Sequence, residues 1–368
     1  MKTIIVSPKN RTAYNFRGEL IRTIIAKGHE AIVTGPDRTD VDKIEALGAR
    51  FVEIPIDKNG VDPRADLRYC KALTDLFRKE KPDRVLSYTA KAVIYGSVAA
   101  KRARVPWVVG MVTGLGYAYT ANTRKAKILR VIMSALYRWG FRKADWVLFQ
   151  NEDDREEFLQ RKLLPEAKTG IVNGSGVDMT RFEPAPLPEK LVFFMLSRIL
   201  KSKGVREYLE AARIAKQKHP EAAFYLLGKY ETTMQDAIPE DEVEPYIRDG
   251  IVERFEETSD VRPYYAKCSV YVLPSYREGT PRTVLEAMAM GRPVITTDAP
   301  GCRATTKDGE TGFLVPVRNS AAVAEKMCWF CDHPEQIPMM GQAALAYCHE
   351  KYDVQKVNET MLQALKLD

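Results

Sequence analysis

The chain has 368 residues, 45% of them apolar and 29% charged, with a formal net charge of +7. That length accommodates about two domains with separate cores, and the composition is that of an ordinary soluble globular protein. No run approaches the roughly 18 unbroken apolar residues of a spanning helix, and the apolar stretch in the opening "MKTIIVSPKN" is too short for a signal peptide, so a cytoplasmic protein is expected.

The first half alternates short apolar runs with segments of helical period. "TIIV", "EAIVTG", "RFVEIP", "DRVLSY", "PWVVGMV" and "DWVLFQ" read as buried strands of a parallel sheet covered by helices on both faces. Residues 101–150 hold ten Lys and Arg against a single acid, Asp145. So local a basic block implies an anionic partner on one face, not general nucleic-acid binding. Within it, "TRKAKILRVIMSALYRWGFRKADW" interleaves its cations with Ile128, Leu129, Ile132, Met133, Leu136, Trp139 and Phe141. Residues 124–143 are therefore expected to lie on an anionic membrane surface; the competing reading is a core helix with snorkelling cations on its outer face.

"FEPAPLPEK" (182–190), with its three prolines, reads as a linker, after which the pattern restarts with "LVFFML", "AAFYLLG", "GIVERF", "SVYVLP", "PVITTD" and "GFLVP". Two doubly wound domains with a cleft between them are expected, over 1–178 and 179–350, with a helix over 351–368 packing back on the first domain. The six cysteines are scattered. Cys328 and Cys331 of "CWFC" fall in an amphipathic helical pattern with no strand–turn context, so buried, reduced thiols are expected in place of a redox or zinc site.

Ligands of doubly wound domains bind at the carboxyl ends of strands. "SVYVLPS" ends such a strand in "SYREGTPRTVLEAMAMGRPV" (275–294). Thr280 suits an N-cap, Pro281 the first helical position, and Gly291 the position that closes the helix. The N–H groups of Arg282, Thr283 and Val284 would then form an anion site suited to a diphosphate. Glu278 precedes this helix, and Glu286 lies inside it among Leu285, Ala287, Met288 and Ala289. A helix apolar nearly all round is buried, and a buried carboxylate needs donors, for which the vicinal hydroxyls of a ribose are suitable. After the first strand of the second domain, Arg198 and Lys203 flank a loop ending at Gly204; they could clamp a diphosphate or be an ordinary solvated basic loop.

"SRILKSKGVREYLEAA" and the stretch from "SDVRPYY" to "GETGFLVP" resemble glycosyltransferase family four, the large retaining group with the GT-B fold. The resemblance covers the whole second domain and extends more weakly to "NGSGVDMTRF"; "YNFRGELI" and "KAVIYGSVAAKRARVPWVVGMVTGLGYAY" are similar to a bacterial branch acting on undecaprenyl-diphosphate-linked saccharides, including N-acetylgalactosaminyl and galactosyl transferases. It implies an α/β GT-B fold, two Rossmann-like domains facing a central cleft, an acceptor-binding domain first and a nucleotide-sugar-binding domain second. It assigns Glu286 to the ribose, Glu278 to hydroxyls of the donor sugar, and Arg198 and Lys203 to the leaving diphosphate. Gly279, Thr280, Thr283 and Val284 would bind the donor through their backbone, and Phe255 would lie near the base. The family needs no bound metal or other cofactor; Asp40-Val41-Asp42 reads as a helix cap.

Two departures stand out. Where relatives carry a histidine after the "WVVGMV" strand, this chain has Thr113, which cannot serve as a base near neutral pH; the departing diphosphate would take the acceptor proton. The usual glycine pair after the first strand is replaced by "SPKNRTAYNFRGEL", in which Asn10, Tyr14, Asn15 and Arg17 are candidate acceptor-side groups, or parts of a structured loop and cap. "GLGYAY" has Tyr119 where a dinucleotide motif needs its third glycine. The expected protein is thus a retaining, metal-independent, UDP-sugar-dependent hexosyltransferase extending a lipid-linked saccharide at the inner membrane face. The alternatives are a nucleotide-sugar epimerase on the same architecture and a non-catalytic nucleotide-sugar-binding protein.

Overall fold

A computed structural model of the protein describes residues 1–57, 60, 62–116, 119, 123–232 and 234–368. The chain divides into two units, one comprising Met1–Ser175 with Val354–Asp368, the other Gly176–Asp353. The first, among the described residues, runs β1 (Lys2–Val6), α1 (Asn10–Ala26), β2 (Glu30–Gly35), α2 (Val41–Glu45), β3 (Arg50–Glu53), α3 (Pro63–Glu80), β4 (Arg84–Tyr88), α4 (Ala90–Arg102), β5 (Trp107–Val112), α5 (Arg124–Phe141), β6 (Trp146–Phe149), α6 (Glu152–Gln160) and β7 (Thr169–Ile171). The second runs β8 (Val192–Leu196), α7 (Val205–Lys218), β9 (Ala223–Leu227), α8 (Glu240–Arg248), β10 (Glu253–Phe255), α9 (Arg262–Ala266), β11 (Val270–Leu273), α10 (Arg282–Ala289), β12 (Val294–Thr297), β13 (Gly312–Val315), α11 (Ser320–Asp332) and α12 (Gln336–Lys351).

Both sheets are parallel throughout, in the orders β3-β2-β1-β4-β5-β6-β7 and β10-β9-β8-β11-β12-β13. These are doubly wound sheets, as the strand–helix alternation requires. Their central strands are apolar on both faces because helices cover both: Ile4, Ile5, Val85 and Leu86 are all fully buried, as are Phe193, Phe194, Val270 and Tyr271. The strand β7 is not among the sequence-predicted elements. Three residues, one of them Gly170, are too few to show a period, and the strand exists because its backbone pairs with the edge of β6.

In each unit the order reverses between two neighbours, β1 and β4 in the first and β8 and β11 in the second. Crossovers from these strands leave in opposite directions, which opens a crevice above their carboxyl ends. The C-terminal helix α13 (Val354–Leu365) belongs to the first unit. Its Val357, Met361, Leu362 and Leu365 bury themselves with Leu20 and Ile24 of α1 and Met111 of β5. Two carbonyls at its end accept from Arg84 Nε (2.7 Å) and Trp107 Nε1 (2.8 Å). Among the described residues no helix is long and apolar enough to cross a membrane.

Met361 is fully buried. Met361→Ala is therefore expected to destabilise the protein by about 2–5 kcal/mol, measured by urea unfolding; a loss near zero would mean that α13 is not an integral layer of the first unit.

Candidate active site

The crevice of the second unit is walled by two loops, 197–204 after β8 and 274–281 after β11, and they are locked to each other. Gly204 has a φ of +73°, and a Cβ there would lie 2.0 Å from the Pro274 carbonyl oxygen. Only glycine permits both the left-handed backbone and the approach. The Ser202 carbonyl accepts from the Tyr276 N–H (2.9 Å) and from Ser275 Oγ (3.1 Å). Gly301, at φ +78°, brings a third loop as close: its Cβ would lie 2.2 Å from the Glu278 carbonyl oxygen, while the Glu278 N–H donates to Pro300 (3.0 Å).

This packing brings Lys203 onto Glu278. The ammonium donates to Glu278 Oε1, which also accepts from Ser275 Oγ at 2.7 Å. Both side chains keep some exposure, 23% for Lys203 and 14% for Glu278, so the pair is held yet reachable. Tyr276 is anchored by its hydroxyl on Glu207 (2.7 Å) and covered by the Arg318 guanidinium, 4.7 Å from the ring centre. Arg198 is not brought to this pair by its recorded contacts: its guanidinium lies 3.7 Å from Glu231 and 3.5 Å from Met234 Sδ. Phe255 stands at the end of β10, an edge strand two places removed from β8, packed edge-on against Tyr225 and Tyr264 with centroids 5.2 and 5.0 Å away.

The helix α10 starts one residue later than the spacing suggests. Pro281 is the N-cap, with no side-chain capping bond, and Thr280 lies outside. A proline ring pre-sets a φ of −71°, which serves the cap as well as the first turn. The Val284 N–H is already used, donating to the Pro281 carbonyl at 3.0 Å. The helix spans 8 residues and closes as expected around Gly291, whose N–H donates to Met288 (2.9 Å) while that of Arg292 reaches Ala287 (3.0 Å).

Glu286 is buried, 8% exposed. Its Oε1 accepts from Arg282 Nε at 3.0 Å, one helical turn earlier, and its Oε2 lies 3.1 Å from the Tyr265 hydroxyl, which is also 2.9 Å from the Thr283 carbonyl. Burial pushes the carboxyl above the ordinary glutamate range, against the opposing pull of Arg282 and Tyr265. Arg282 was legible in the i,i+4 spacing and Ser275 lay beside the motif; Tyr265, from a helix 21 residues upstream, carried no local signal.

In the first unit the expected acceptor-side residues separate. Asn10 is 3% exposed, its amide donating to the carbonyls of Asp37 (2.9 Å) and Thr39 (2.6 Å). Tyr14 donates to Asp40 Oδ2 (3.1 Å). Asp40 takes the cap position of α2, as expected, but with a left-handed φ of 54° and no side-chain capping bond; it pairs with Lys43 at 2.7 Å instead. Arg17 is also 3% exposed, its guanidinium 5.5 Å from the centre of the Tyr88 ring and 3.5 Å from Met111 Sδ. Asn15 is exposed, and Thr113 is half-buried directly after β5. Tyr117 and Ala118 of "GLGYAY" lie outside the described residues. All six cysteines are free thiols, five buried and Cys331 half-buried, and burial raises the Cys331 thiol to about 12.

Two doubly wound parallel-sheet units are the architecture of the GT-B fold. Residues 15–174 match the family model described as a glycosyl transferase 4-like domain and residues 190–333 the one described as glycosyl transferases group 1, and the chain belongs to this glycosyltransferase family. The chain is 27% identical over 341 residues, 89% of its length and 88% of the relative's, to the N,N'-diacetylbacillosaminyl-diphospho-undecaprenol alpha-1,3-N-acetylgalactosaminyltransferase of Campylobacter jejuni. It is 26% identical to the UDP-Gal:alpha-D-GlcNAc-diphosphoundecaprenol alpha-1,3-galactosyltransferase of Escherichia coli, covering 69% of this chain and 67% of that one. The Anabaena protein Alr3699/HepE, solved with UDP-glucose, has the same fold: TM-score 0.80 over 100% of this chain and 99% of that chain, at 18% identity.

Because the Glu286 carboxyl is raised in the folded state, its contribution to stability is complete at low pH and is lost as pH climbs from about 4.5 through the raised value. The stability of the protein relative to Glu286→Gln is accordingly expected to decline across that interval in urea titrations at pH 4–8. A constant difference would refute the raised titration.

Proposed function

We propose that the chain is a retaining glycosyltransferase that moves a sugar, an N-acetylhexosamine or galactose, from a UDP-sugar to an undecaprenyl-diphosphate-linked saccharide in surface polysaccharide or glycan assembly. The observation that carries it is the Lys203–Glu278 pair at the switch point, beside the start of a helix whose interior holds a second, buried carboxylate, Glu286. The names of the Campylobacter and Escherichia relatives support the acceptor class, and the UDP-glucose complex of the Anabaena protein supports the donor class.

Glu286 accepts from the ribose hydroxyls, exchanging the Tyr265 hydroxyl and the Arg282 guanidinium for the two vicinal hydroxyls. Glu278 accepts from hydroxyls of the donor sugar, with Ser275 keeping its carboxylate oriented. Lys203 turns from Glu278 to the diphosphate, and Arg198 joins it by leaving Glu231. The backbone N–H groups of Gly279, Thr280, Arg282 and Thr283 would turn to the donor's oxygens; that of Val284 donates to Pro281 and is not assigned to it. The bond from the anomeric carbon to the diphosphate oxygen breaks, and a bond to the acceptor oxygen forms on the same face. The acceptor's proton passes to the departing diphosphate, so Thr113 contacts substrate without acting as a base. Fixed positive charge where the diphosphate gains negative charge lowers the barrier, and no bound metal or cofactor is invoked.

Tyr14, Asn15 and Thr113 are proposed to touch the acceptor, whereas the buried Asn10 and Arg17 position the strand ends beneath it. Phe255 is assigned a flanking place beyond the base. The protein would work at the inner face of the cell membrane, held there peripherally through residues 124–143.

Glu278→Ala is expected to lower transfer at least about a hundredfold, as removal of a transition-state contact does, while cooperative unfolding is retained. Turnover near wild type, scored by release of UDP from a panel of UDP-sugars with a lipid-diphosphate monosaccharide, would overturn the assignment. Excess EDTA should leave the rate unchanged; abolition restored by a divalent cation would reject the metal-independent reading.

A further inference from the structure

The structure sorts the apolar residues of α5 into two faces. Leu129, Met133, Leu136 and Trp139 pack against the core of the first unit, and Phe141 lies within it. Ile128, Val131 and Ile132 instead stand in solvent, 64%, 72% and 51% exposed. With a period of 3.6 residues, Arg124, Ile128, Val131, Ala135, Arg138 and Arg142 fall on one stripe, cationic at both ends and apolar in the middle. Exposed Lys125 and Lys127 flank it, and no acid occurs anywhere in the helix. At 1.5 Å per residue the stripe is about 27 Å long.

Beside its C-terminal half lies an open recess of about 590 Å³ lined by Arg138, Arg142 and Lys162 together with Leu159, Leu163 and Leu164. The one acid on its rim, Glu166, is turned to Arg155 at 2.8 Å. Arg138 is fixed there by donating to the carbonyls of Arg161 (3.1 Å) and Lys162 (3.2 Å), which directly follow α6. A lining that combines three cations with leucines is the chemistry of a lipid phosphate with its glycerol and upper chain, not of a hydrated inorganic ion alone.

We infer that α5 lies in the plane of an anionic bilayer with Ile128, Val131 and Ile132 inserted as a keel, and that the recess beside it seats one phospholipid headgroup. The keel supplies burial of apolar area and the cations supply attraction to the negative surface, the two sources of affinity of an interfacial helix. The inference deepens the proposed peripheral site of action and rests on that reading for its purpose, though not for its test.

The test is co-sedimentation of the full chain with phosphatidylcholine vesicles, with and without a fifth of phosphatidylglycerol, at 0.1 M salt. Binding should be at least tenfold tighter to the anionic vesicles. Ile128→Asp/Val131→Asp/Ile132→Asp, all exposed, should abolish it, and Arg142→Gln/Lys162→Gln should weaken it about tenfold or more, as removal of two surface cations does. Equal binding to both vesicles overturns the anionic bilayer as the partner, and triple-variant binding like wild type overturns the keel. Competition by millimolar inorganic phosphate, or an unchanged double variant, overturns the headgroup seat. Transfer to a water-soluble short-prenyl diphosphate acceptor should be the same in all three proteins. Its absence in the wild type would count against the proposed reaction and leave the vesicle result standing.

Discussion

Everything in the second unit depends on the place where its parallel sheet changes winding direction. Between β8 and β11 the connecting helices leave toward opposite faces, so no crossover can cover the strand ends and only loops can. Those loops have almost no freedom. Gly204 leaves no space for a side chain against Pro274, nor does Gly301 against the 278–279 backbone. Lys203 and Glu278 meet because these close contacts set the loop paths, and the ion pair reports that geometry more than it creates it. With both side chains partly hydrated, their mutual attraction adds little to stability, which leaves the two charges available for exchange with a ligand.

Glu286 is the opposite case. A carboxylate inside an apolar helix loses hydration, and the structure offsets this with one cation and one hydroxyl, from Arg282 and Tyr265. Neither donor fully restores the lost water, which is why the carboxyl is held above its ordinary range. A group kept in that condition is poised to accept further donors. Its burial excludes an ordinary surface glutamate on an outward face.

The helix α5 shows how one composition can serve two surfaces. Its basic and apolar residues are thoroughly mixed in sequence, which allowed two readings, a membrane-facing helix and a core helix with snorkelling cations; the structure packs one apolar face into the core and leaves another in solvent. Leu129, Met133, Leu136 and Trp139 are core, while Ile128, Val131 and Ile132 are not. Packing decides between adjacent residues that differ by 100° around the axis, a distinction composition does not carry.

The amino-acid order alone determined the two doubly wound sheets, since runs such as "TIIV" and "VYVL" can be buried on both faces only in a parallel sheet with helices on each side. It also determined which strand ends carry the charged loops, and the closing of α10 at Gly291, because turn and cap chemistry is local. The short strand β7, the shift of the N-cap to Pro281 and the capture of the Val284 N–H were not legible, since each rests on backbone pairing without a side-chain signature. Nor were the partners of the key side chains: Tyr265 reaches Glu286 across 21 residues, Arg198 turns to Glu231, and Asn10 spends its amide on two carbonyls of a distant loop. Local patterns set where a charge enters the fold; only tertiary packing, which brings remote partners into reach, sets what it holds.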